Sequence, residues 1–242
     1  MNERVIAVIP ARLASTRLPG KVLRPVAGIP LVGWVYRAAQ ACPQLSQVLI
    51  ATDSAEVVAY ADSQGWPSIL TPASLESGTD RVHAVAQMVD AAIYVNIQGD
   101  EPLVRPEHID ALLRPFSRPE AEVTTLSTDC SPEEMNDPNA VKVVTASDGR
   151  ALYFSRATIP YARGIALAPR KHLGLYGYRK AALLRFAALP PSPLELSERL
   201  EQLRMLENGI SIHVEHTPFP TIGVDTEADL LAAEKVLLRQ LR

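Results

Sequence analysis

The hydrophobic positions in the first half of the chain switch between two periods. Short continuous runs of apolar and β-branched residues predict strands, whereas apolar residues three and four positions apart predict helices. The predicted strands are 5–9, 48–51, 91–97 and 123–126. The predicted helices are 31–41, a segment that follows the capping residues Thr52-Asp53-Ser54 and ends at 61, then 81–89 and 106–116. This alternation predicts an α/β fold with a mostly parallel sheet covered by helices on both faces.

The pattern becomes less regular after about residue 130. The strands predicted next have short or irregular connections, and they lie at 140–145, 151–155, 173–178 and 211–215. The segment 160–171 has the composition of a loop. The helices predicted in this half are 180–189, 193–207 and 226–241. We therefore predict a single domain over 1–242, in which roughly 130–190 forms an inserted subdomain.

Composition narrows the class of protein. The chain has 242 residues, of which 47% are hydrophobic and 21% charged, which is typical of a globular protein and not of a disordered one. A net charge of −3 provides no general attraction to nucleic acid or to an anionic membrane. The two cysteines, Cys42 and Cys130, are too few for a disulfide framework or a structural zinc site. No apolar run reaches 18 residues, the length needed to span a membrane. Taken together with the net charge, this predicts a cytoplasmic protein with neither a membrane nor a nucleic acid as its partner.

The segment that follows the first predicted strand concentrates positive charge. It runs IPARLASTRLPGK over 9–21 and places Arg12, Arg17 and Lys21 within ten residues. Ligands of open α/β sheets bind outside the carboxyl ends of the strands, where this segment lies. Several cations with a hydroxyl such as Ser15 suit a triphosphate. The spacing matches neither a Walker A loop nor a GxGxxG motif, and the alternative interpretation is a solvated basic loop.

Two aspartates are candidate metal ligands. Asp100 follows the predicted strand 91–97 at the same sheet edge as the basic loop, and Asp225 precedes the last helix. Mg²⁺ is commonly held by one or two carboxylates together with phosphate oxygens and water. The alternative interpretation makes Asp100 the start of a turn and Asp225 a neighbour of a helix cap. Asp225 becomes a second metal ligand only if the fold brings it near Asp100.

Further polar clusters are candidates for binding anions. The segment from Ser77 to Arg81 precedes a helix and offers either backbone N–H groups and a guanidinium to an anion or an ordinary capped helix start. Arg156, Lys171, His172 and Tyr176 provide cations, an imidazole and a hydroxyl in the subdomain. Such groups suit an anionic, polyhydroxylated substrate such as a sugar acid.

Seven motifs follow one another across nearly the whole chain. They are IPARLASTRLPGK, NIQGDEP, DPNAVKVV, YFSRATIP, KHLGLYGY, LEQLRMLE and GVDTEADL. Together they resemble the 3-deoxy-manno-octulosonate cytidylyltransferases, the CMP-Kdo synthetases of Gram-negative lipopolysaccharide synthesis. The resemblance implies a cytoplasmic, Mg²⁺-dependent homodimer with a nucleotidyltransferase-type fold, a mostly parallel mixed sheet flanked by helices, and dimer contacts within 130–190. It also implies the reaction, in which CMP passes from CTP to 3-deoxy-D-manno-octulosonate (Kdo) and pyrophosphate is released.

The same resemblance assigns roles to individual residues. The residues expected to hold the nucleotide are Ala11, Arg12, Ser15, Arg17, Lys21, Ser77 and Gly78. Asp100 and Asp225 would ligate Mg²⁺ and, with Arg17 and Lys21, form the catalytic set. The residues expected to face the sugar acid are Arg81, Gln98, Arg156, His172, Tyr176, Glu201 and Gln202.

Alternatives remain at this point. Where many family members have His or another polar residue before Ser-Gly-Thr, this chain has Leu75-Glu76. Because Glu76 could select an amine, a cytidylyltransferase for 8-amino-Kdo is one alternative, and an enzyme for another sugar acid such as N-acylneuraminate is a second. A non-catalytic nucleotide-binding module is an alternative of another class.

Overall fold

Strands and helices alternate along the first half of the chain and become less regular in the second. The computed structural model describes residues 3–15, 17–165 and 167–240. Its strands are β1 (Val5–Pro10), β2 (Pro25–Val26), β3 (Ile29–Pro30), β4 (Gln47–Thr52), β5 (Ser68–Leu70), β6 (Ile93–Asn96), β7 (Val123–Asp129), β8 (Lys142–Thr145), β9 (Ala151–Ser155), β10 (Arg170–Arg179) and β11 (Ile212–His216). Its helices are α1 (Leu31–Gln40), α2 (Ala55–Ser63), α3 (Gly78–Met88), α4 (Pro106–Leu113), α5 (Lys180–Ala187), α6 (Pro193–Glu198), α7 (Gln202–Glu207) and α8 (Glu227–Gln240).

The chain divides into two compact units. One comprises Met1–Asp110 with Thr221–Arg242, and the other comprises Ala111–Pro220. The single domain over 1–242 and the insertion at 130–190 stay predictions. None of the helices in the described ranges is long and apolar enough to cross a membrane.

The first unit contains a four-stranded parallel sheet. The strands lie in the order β5-β4-β1-β6, and every neighbouring pair is parallel. All six residues of β1 are buried, as expected for a strand of a parallel sheet that is covered on both faces. Helices α1, α2 and α3 pack against these strands. The prediction of an α/β fold with parallel strands is confirmed here.

The second unit contains a mixed sheet. Strand β7 pairs with β11 in parallel and with β10 in antiparallel orientation, and β8 pairs antiparallel with both β10 and β9. The register of β10 against β7 shifts between Leu173 and Tyr176, which is a β-bulge. The predicted strands of this region are present, although β10 begins at Arg170, inside the segment predicted as a loop.

The single helix predicted over 193–207 is wrong. The structure has two short helices, α6 and α7, and Arg199 between them adopts the left-handed conformation with φ 53°. A left-handed residue cannot continue a right-handed helix, so the axis changes direction there. The apolar spacing of the two helices is continuous in sequence, and it carries no sign of this break.

Three short strands were not predicted. Strands β2 and β3 contain two residues each, and β5 contains three, so none is long enough to show a period. Elsewhere the differences concern ends. Helix α4 stops at Leu113 and continues as a 3-10 turn over Arg114–Ser117, and the strand predicted at 91–97 is shortened to β6. Leu241, which the prediction included in the last helix, lies outside the described residues.

Candidate active site

The basic loop after β1 is anchored by a buried leucine. Leu18, only 4% exposed, packs in a hydrophobic cluster with residues of α8 and with Val224. The Ser15 hydroxyl accepts a hydrogen bond from the Leu18 amide, and the Gly20 amide donates to the Leu13 carbonyl, which closes the loop. Gly20 has φ 65°, a conformation that glycine adopts without strain. The backbone of the loop therefore has a defined shape, which fixes the positions from which its Arg and Lys side chains extend.

The same cluster positions the second acidic segment. Val224 is fully buried in it, and its amide donates to the Asp100 carbonyl at 2.9 Å. Gly99 lets the chain just before Asp100 lie close to the end of β1, because a Cβ at position 99 would lie 2.8 Å from the Pro10 carbonyl oxygen. Asp100 and Asp225, 125 positions apart in the sequence, are thereby brought to the same place.

One lysine joins the two aspartates. Lys21 Nζ lies 2.5 Å from Asp100 Oδ2 and 2.8 Å from Asp225 Oδ1, and Arg17 Nη2 lies 2.8 Å from the other oxygen of Asp225. Burial by itself lowers the pKa of Lys21, but the charge and hydrogen bonds of both aspartates outweigh it, so that its pKa is raised. Lys21 is thus a firmly protonated cation between two carboxylates.

These side chains line one cavity of about 320 Å³. Its lining residues are Pro10, Arg12, Ala14, Ser15, Arg17, Lys21, Val22, Gly78, Gln98, Asp100 and Asp225. We call it the cation pocket, because three of its residues are Arg or Lys. All eleven belong to the first unit. Eight of the residues proposed from sequence therefore meet here, and their individual roles stay predictions.

The far side of the cation pocket is built by the start of α3. Ser77 caps this helix by accepting from the Asp80 amide, and Asp80 accepts from the Ser77 amide in return. Gly78 follows, and a Cβ added to it would lie 2.7 Å from Gln98 Nε2. Arg12 donates to the Glu76 backbone carbonyl, so Glu76 contacts the basic loop through its main chain. The capping interpretation of Ser77 is confirmed, and its proposed contact with nucleotide stays a prediction.

Arg81 and Ala11 lie deeper than the pocket surface. Arg81 is fully buried; its guanidinium donates to Asp53 Oδ2 at 2.7 Å and to Thr71 Oγ1 at 2.5 Å, while its Nε has no partner among the described residues. Ala11 is also fully buried, and its amide donates to the Ala51 carbonyl. The partner Asp53 was interpreted from sequence only as part of a helix cap, and nothing in the spacing indicates a pairing with Arg81.

In the second unit, His172 and Tyr176 lie on β10 beside the bulge. His172 Nε2 is 3.0 Å from Thr125 Oγ1, and the His172 ring is flanked by Phe154 and Tyr176 with centroids at 5.0 and 5.5 Å. Part of His172 is exposed, yet its imidazole lies deep enough that burial lowers its pKa to about 3. Burial also raises the pKa of Tyr176, with further contributions from Tyr178 and Glu201. Both side chains are therefore neutral at physiological pH.

Arg156 is held by main-chain carbonyls. Its guanidinium donates to the carbonyls of Glu198, Pro138 and Arg199 at 2.7, 2.9 and 3.4 Å. Glu198 in turn accepts from the Ser155 hydroxyl and the Arg156 amide. The Arg156 guanidinium thus links the end of β9 to the junction of α6 and α7. The proposed contact of Arg156 with a sugar acid stays a prediction.

The other polar residues proposed for the second unit are placed as follows. Glu201 directly precedes α7, and Gln202 is its first residue and is buried. Lys171 is paired with Glu134 at 2.5 Å. Lys142, which was not among the predicted site residues, is fully buried and donates to the carbonyls of Asp137, Ala140 and Arg156. The position of this lysine inside the apolar run VKVV was the sequence feature that could have indicated its burial.

The chain is similar to known proteins in both sequence and structure. The sequence profile of the cytidylyltransferase family matches residues 6–212. The 3-deoxy-manno-octulosonate cytidylyltransferase of Acidobacterium capsulatum is 65% identical over 98% of this chain and 97% of its own, and that of Koribacter versatilis is 55% identical over 97% and 90%. The solved structure of a CMP:2-keto-3-deoxy-manno-octonic acid synthetase in complex with CTP is 39% identical, with a TM-score of 0.94, covering 98% of this chain and 99% of its own.

Proposed function

Because the chain belongs to the cytidylyltransferase family, we propose that its cation pocket binds CTP and that the enzyme transfers CMP to Kdo, forming CMP-Kdo and pyrophosphate. The observation that carries this proposal is the convergence of Arg12, Arg17 and Lys21 with Asp100 and Asp225 in one pocket. A triphosphate needs several cations, and this pocket supplies three. Relatives with 65% and 55% identity over almost the full length have names that specify this sugar acid.

The chemistry is an in-line displacement at phosphorus. The anomeric hydroxyl oxygen of Kdo at C2 forms a bond to the α-phosphorus of CTP and gives up its proton to solvent water. The bond from the α-phosphorus to the oxygen that bridges to the β-phosphate breaks, and that oxygen leaves with pyrophosphate. Negative charge accumulates on the departing pyrophosphate. Arg17 and Lys21 provide cations that would stabilise this charge. Electrostatic stabilisation by fixed groups is commonly the largest single contribution to catalysis.

The two aspartates fit a magnesium ion. Among the described residues no group of three or more His, Cys, Asp or Glu side chains is arranged to hold a metal, but Asp100 and Asp225 form a pair about one cationic group. Mg²⁺ is commonly bound by one or two carboxylates, with phosphate oxygens and waters as its other ligands. Asp100 and Asp225 would hold the ion, which would supply positive charge to the phosphates.

The proposal is tested with pyrophosphate release from CTP, Kdo and Mg²⁺. The wild-type protein should release pyrophosphate, and Asp100→Ala should lower kcat by about a hundredfold or more while its melting temperature stays close to wild type, because the substitution removes a positioned charge and not a core contact. Asp148→Ala is the matched control, since Asp148 is an exposed carboxylate paired with Arg150 outside the pocket.

The outcomes separate the alternatives. Nucleotide binding without pyrophosphate release would identify a binding module and contradict the proposal. Rates measured side by side with Kdo and 8-amino-Kdo distinguish the sugar acids, and a preference for the amine would replace Kdo as the substrate. Near-normal turnover of Asp100→Ala would remove the metal assignment.

We further propose that the enzyme is a cytoplasmic homodimer whose contact includes the segment 130–190. Large apolar side chains of this segment are exposed: Leu152 by 61%, Tyr161 by 88%, Ile165 by 91% and Leu167 by 66%. Large apolar side chains that are exposed in one chain are candidates for burial in an interface.

Light scattering on a size-exclusion column tests the dimer. The wild type should elute with the mass of two chains, and the double variant Tyr161→Ser, Ile165→Ser should elute as a monomer, because two anchors of the contact are lost. Leu231→Ser on α8, also exposed, should remain dimeric. A monomeric wild type would contradict this proposal without affecting the reaction.

A further inference from the structure

One threonine hydroxyl lies at the centre of the β-bulge in the second unit. Thr125 on β7 is fully buried, and its Oγ1 lies 2.8 Å from the Leu175 carbonyl oxygen and 3.2 Å from that of Leu173 on β10. The same Oγ1 lies 3.0 Å from His172 Nε2. Both carbonyls lie in the stretch from Leu173 to Tyr176 where the register of β10 against β7 shifts.

The number of hydrogens available decides which group donates. A threonine hydroxyl has one hydrogen, and a carbonyl oxygen can only accept. The hydrogen of Thr125 is therefore directed at the β10 carbonyls, and its lone pairs remain for other partners. The contact with His172 is then a hydrogen bond only if Nε2 carries a proton and donates.

We propose that Thr125 is a positioning residue that fixes His172 as the Nε2–H tautomer, so that Nδ1 accepts a hydrogen bond from a hydroxyl group of the sugar acid. The second half of this inference rests on the proposed function. Nδ1 of His172 has no hydrogen-bond partner within the described part of the chain, and the residue is partly exposed. A neutral imidazole has one donor and one acceptor, so fixing the donor leaves a defined acceptor.

The surroundings keep the ring in that state. Phe154 meets the His172 ring edge-on at an interplanar angle of 76°, which limits rotation of the imidazole. Because the pKa of His172 is lowered by burial, the ring stays neutral and does not become a double donor at physiological pH. A protonated histidine would turn a donor toward the substrate at Nδ1 and would lose the acceptor.

The chain offers closely matched variants. Thr125→Val removes the hydroxyl and keeps the shape, and Thr125→Ser keeps the hydroxyl. Thr124 is the neighbouring residue of β7; it is also fully buried, and its Oγ1 has no hydrogen-bond partner among the described residues. Thr124→Val therefore makes the same change of atoms on the same strand without removing a bond to His172.

The first measurement is ¹⁵N NMR of the histidine rings in the ligand-free protein, with the His172 signals assigned from their loss in His172→Gln. Wild type, Thr125→Ser and Thr124→Val should show a protonated Nε2 and an unprotonated Nδ1 at His172. Thr125→Val should show the two nitrogens averaging between tautomers. A wild-type signature with the proton on Nδ1 would overturn the inference even if Thr125→Val failed to fold.

The second measurement is steady-state kinetics. Thr125→Val should raise KM for Kdo about five- to tenfold, the effect of weakening one neutral hydrogen bond, and should leave KM for CTP unchanged. Thr125→Ser should restore the wild-type value, and Thr124→Val should not alter it. An unchanged KM for Kdo in a folded Thr125→Val would overturn the inference alone. A wild-type protein that forms no CMP-Kdo would overturn the proposed function, and the sugar-acid half of the inference with it.

Discussion

Single contacts between side chain and main chain set the shape of the cation pocket. Gly78 and Gln98 approach so closely that a Cβ on Gly78 would lie 2.7 Å from Gln98 Nε2. Gln98 is itself held in place, because its Nε2 donates to Asn96 Oδ1 at 3.1 Å. The pocket surface therefore depends on the absence of one methyl group.

Gly78→Ala tests this dependence. Alanine is favourable in a helix, so the melting temperature should stay near wild type or rise. Gln98 must move to admit the methyl group, and kcat/KM should fall about tenfold, because small displacements of positioning groups are costly to catalysis. Gln87→Ala is the control, since Gln87 is an exposed residue of the same helix α3 and does not line the pocket. Equal kinetics for the two variants would contradict the role of this contact.

The buried His172 predicts a pH dependence of stability. Its pKa is about 3 in the folded protein against an ordinary value of 6.5, so the unfolded chain binds the proton first as pH falls. Stability is fully present above pH 6.5 and declines between pH 6.5 and 3, by at most about 1.4 kcal/mol per pH unit for one proton. Burial and the charge of Arg118 lower the pKa of His213, which acts in the same direction.

Urea unfolding at pH 8, 7, 6 and 5 measures this effect. The free energy of unfolding of His172→Gln should fall less steeply below pH 6.5 than that of the wild type, because the variant has lost one of the two histidines responsible. Parallel profiles for the two proteins would show that His172 does not contribute.

At the scale of elements, the junction of α6 and α7 shows what a periodicity leaves out. The capping box of Ser192 and Glu195 starts α6, and Arg199 ends it by entering the left-handed region. The carbonyls of Glu198 and Arg199 then accept from Arg156, so the break is tied to the end of β9. Apolar spacing predicted one helix over 193–207 and missed the break, because the turn between α6 and α7 is held by hydrogen bonds from Arg156, about 40 positions away.

Arg199 offers a direct test of this turn. Its side chain is exposed, so substitution mainly changes the backbone preference. Arg199→Val should lower the free energy of unfolding by about 1–2 kcal/mol, the cost of a left-handed residue made worse by β-branching, whereas Arg199→Gly should be as stable as wild type or slightly more so. Ser197→Val, at an exposed position inside α6, controls for the β-branched side chain itself. Urea midpoints measure all three, and a Val variant as stable as Gly would contradict the assignment.

At the scale of the whole molecule, the sequence predicted which segments carry the site better than it predicted their partners. The basic loop and Asp100 follow buried strands, and strand ends at one edge of a parallel sheet are neighbours, so their proximity could be inferred. The sequence left two interpretations of Asp225 open, a metal ligand and a neighbour of a helix cap, since only the packing of Val224 and α8 brings it near Asp100. The pairs Arg81–Asp53 and Lys171–Glu134 could not be predicted, because pairing across long stretches of sequence has no local pattern.

Lys21 has a consequence for how the resting protein meets its ligands. With its ammonium between Asp100 and Asp225, the protein already contains the counterion of its own acidic pair. An incoming polyanion competes with the aspartates for this lysine, and every phosphate contact that Lys21 makes loosens its hold on a carboxylate. Binding of a polyanion would therefore be an exchange of partners, in which the arriving anion itself uncovers the negative charge that the proposed magnesium ion requires.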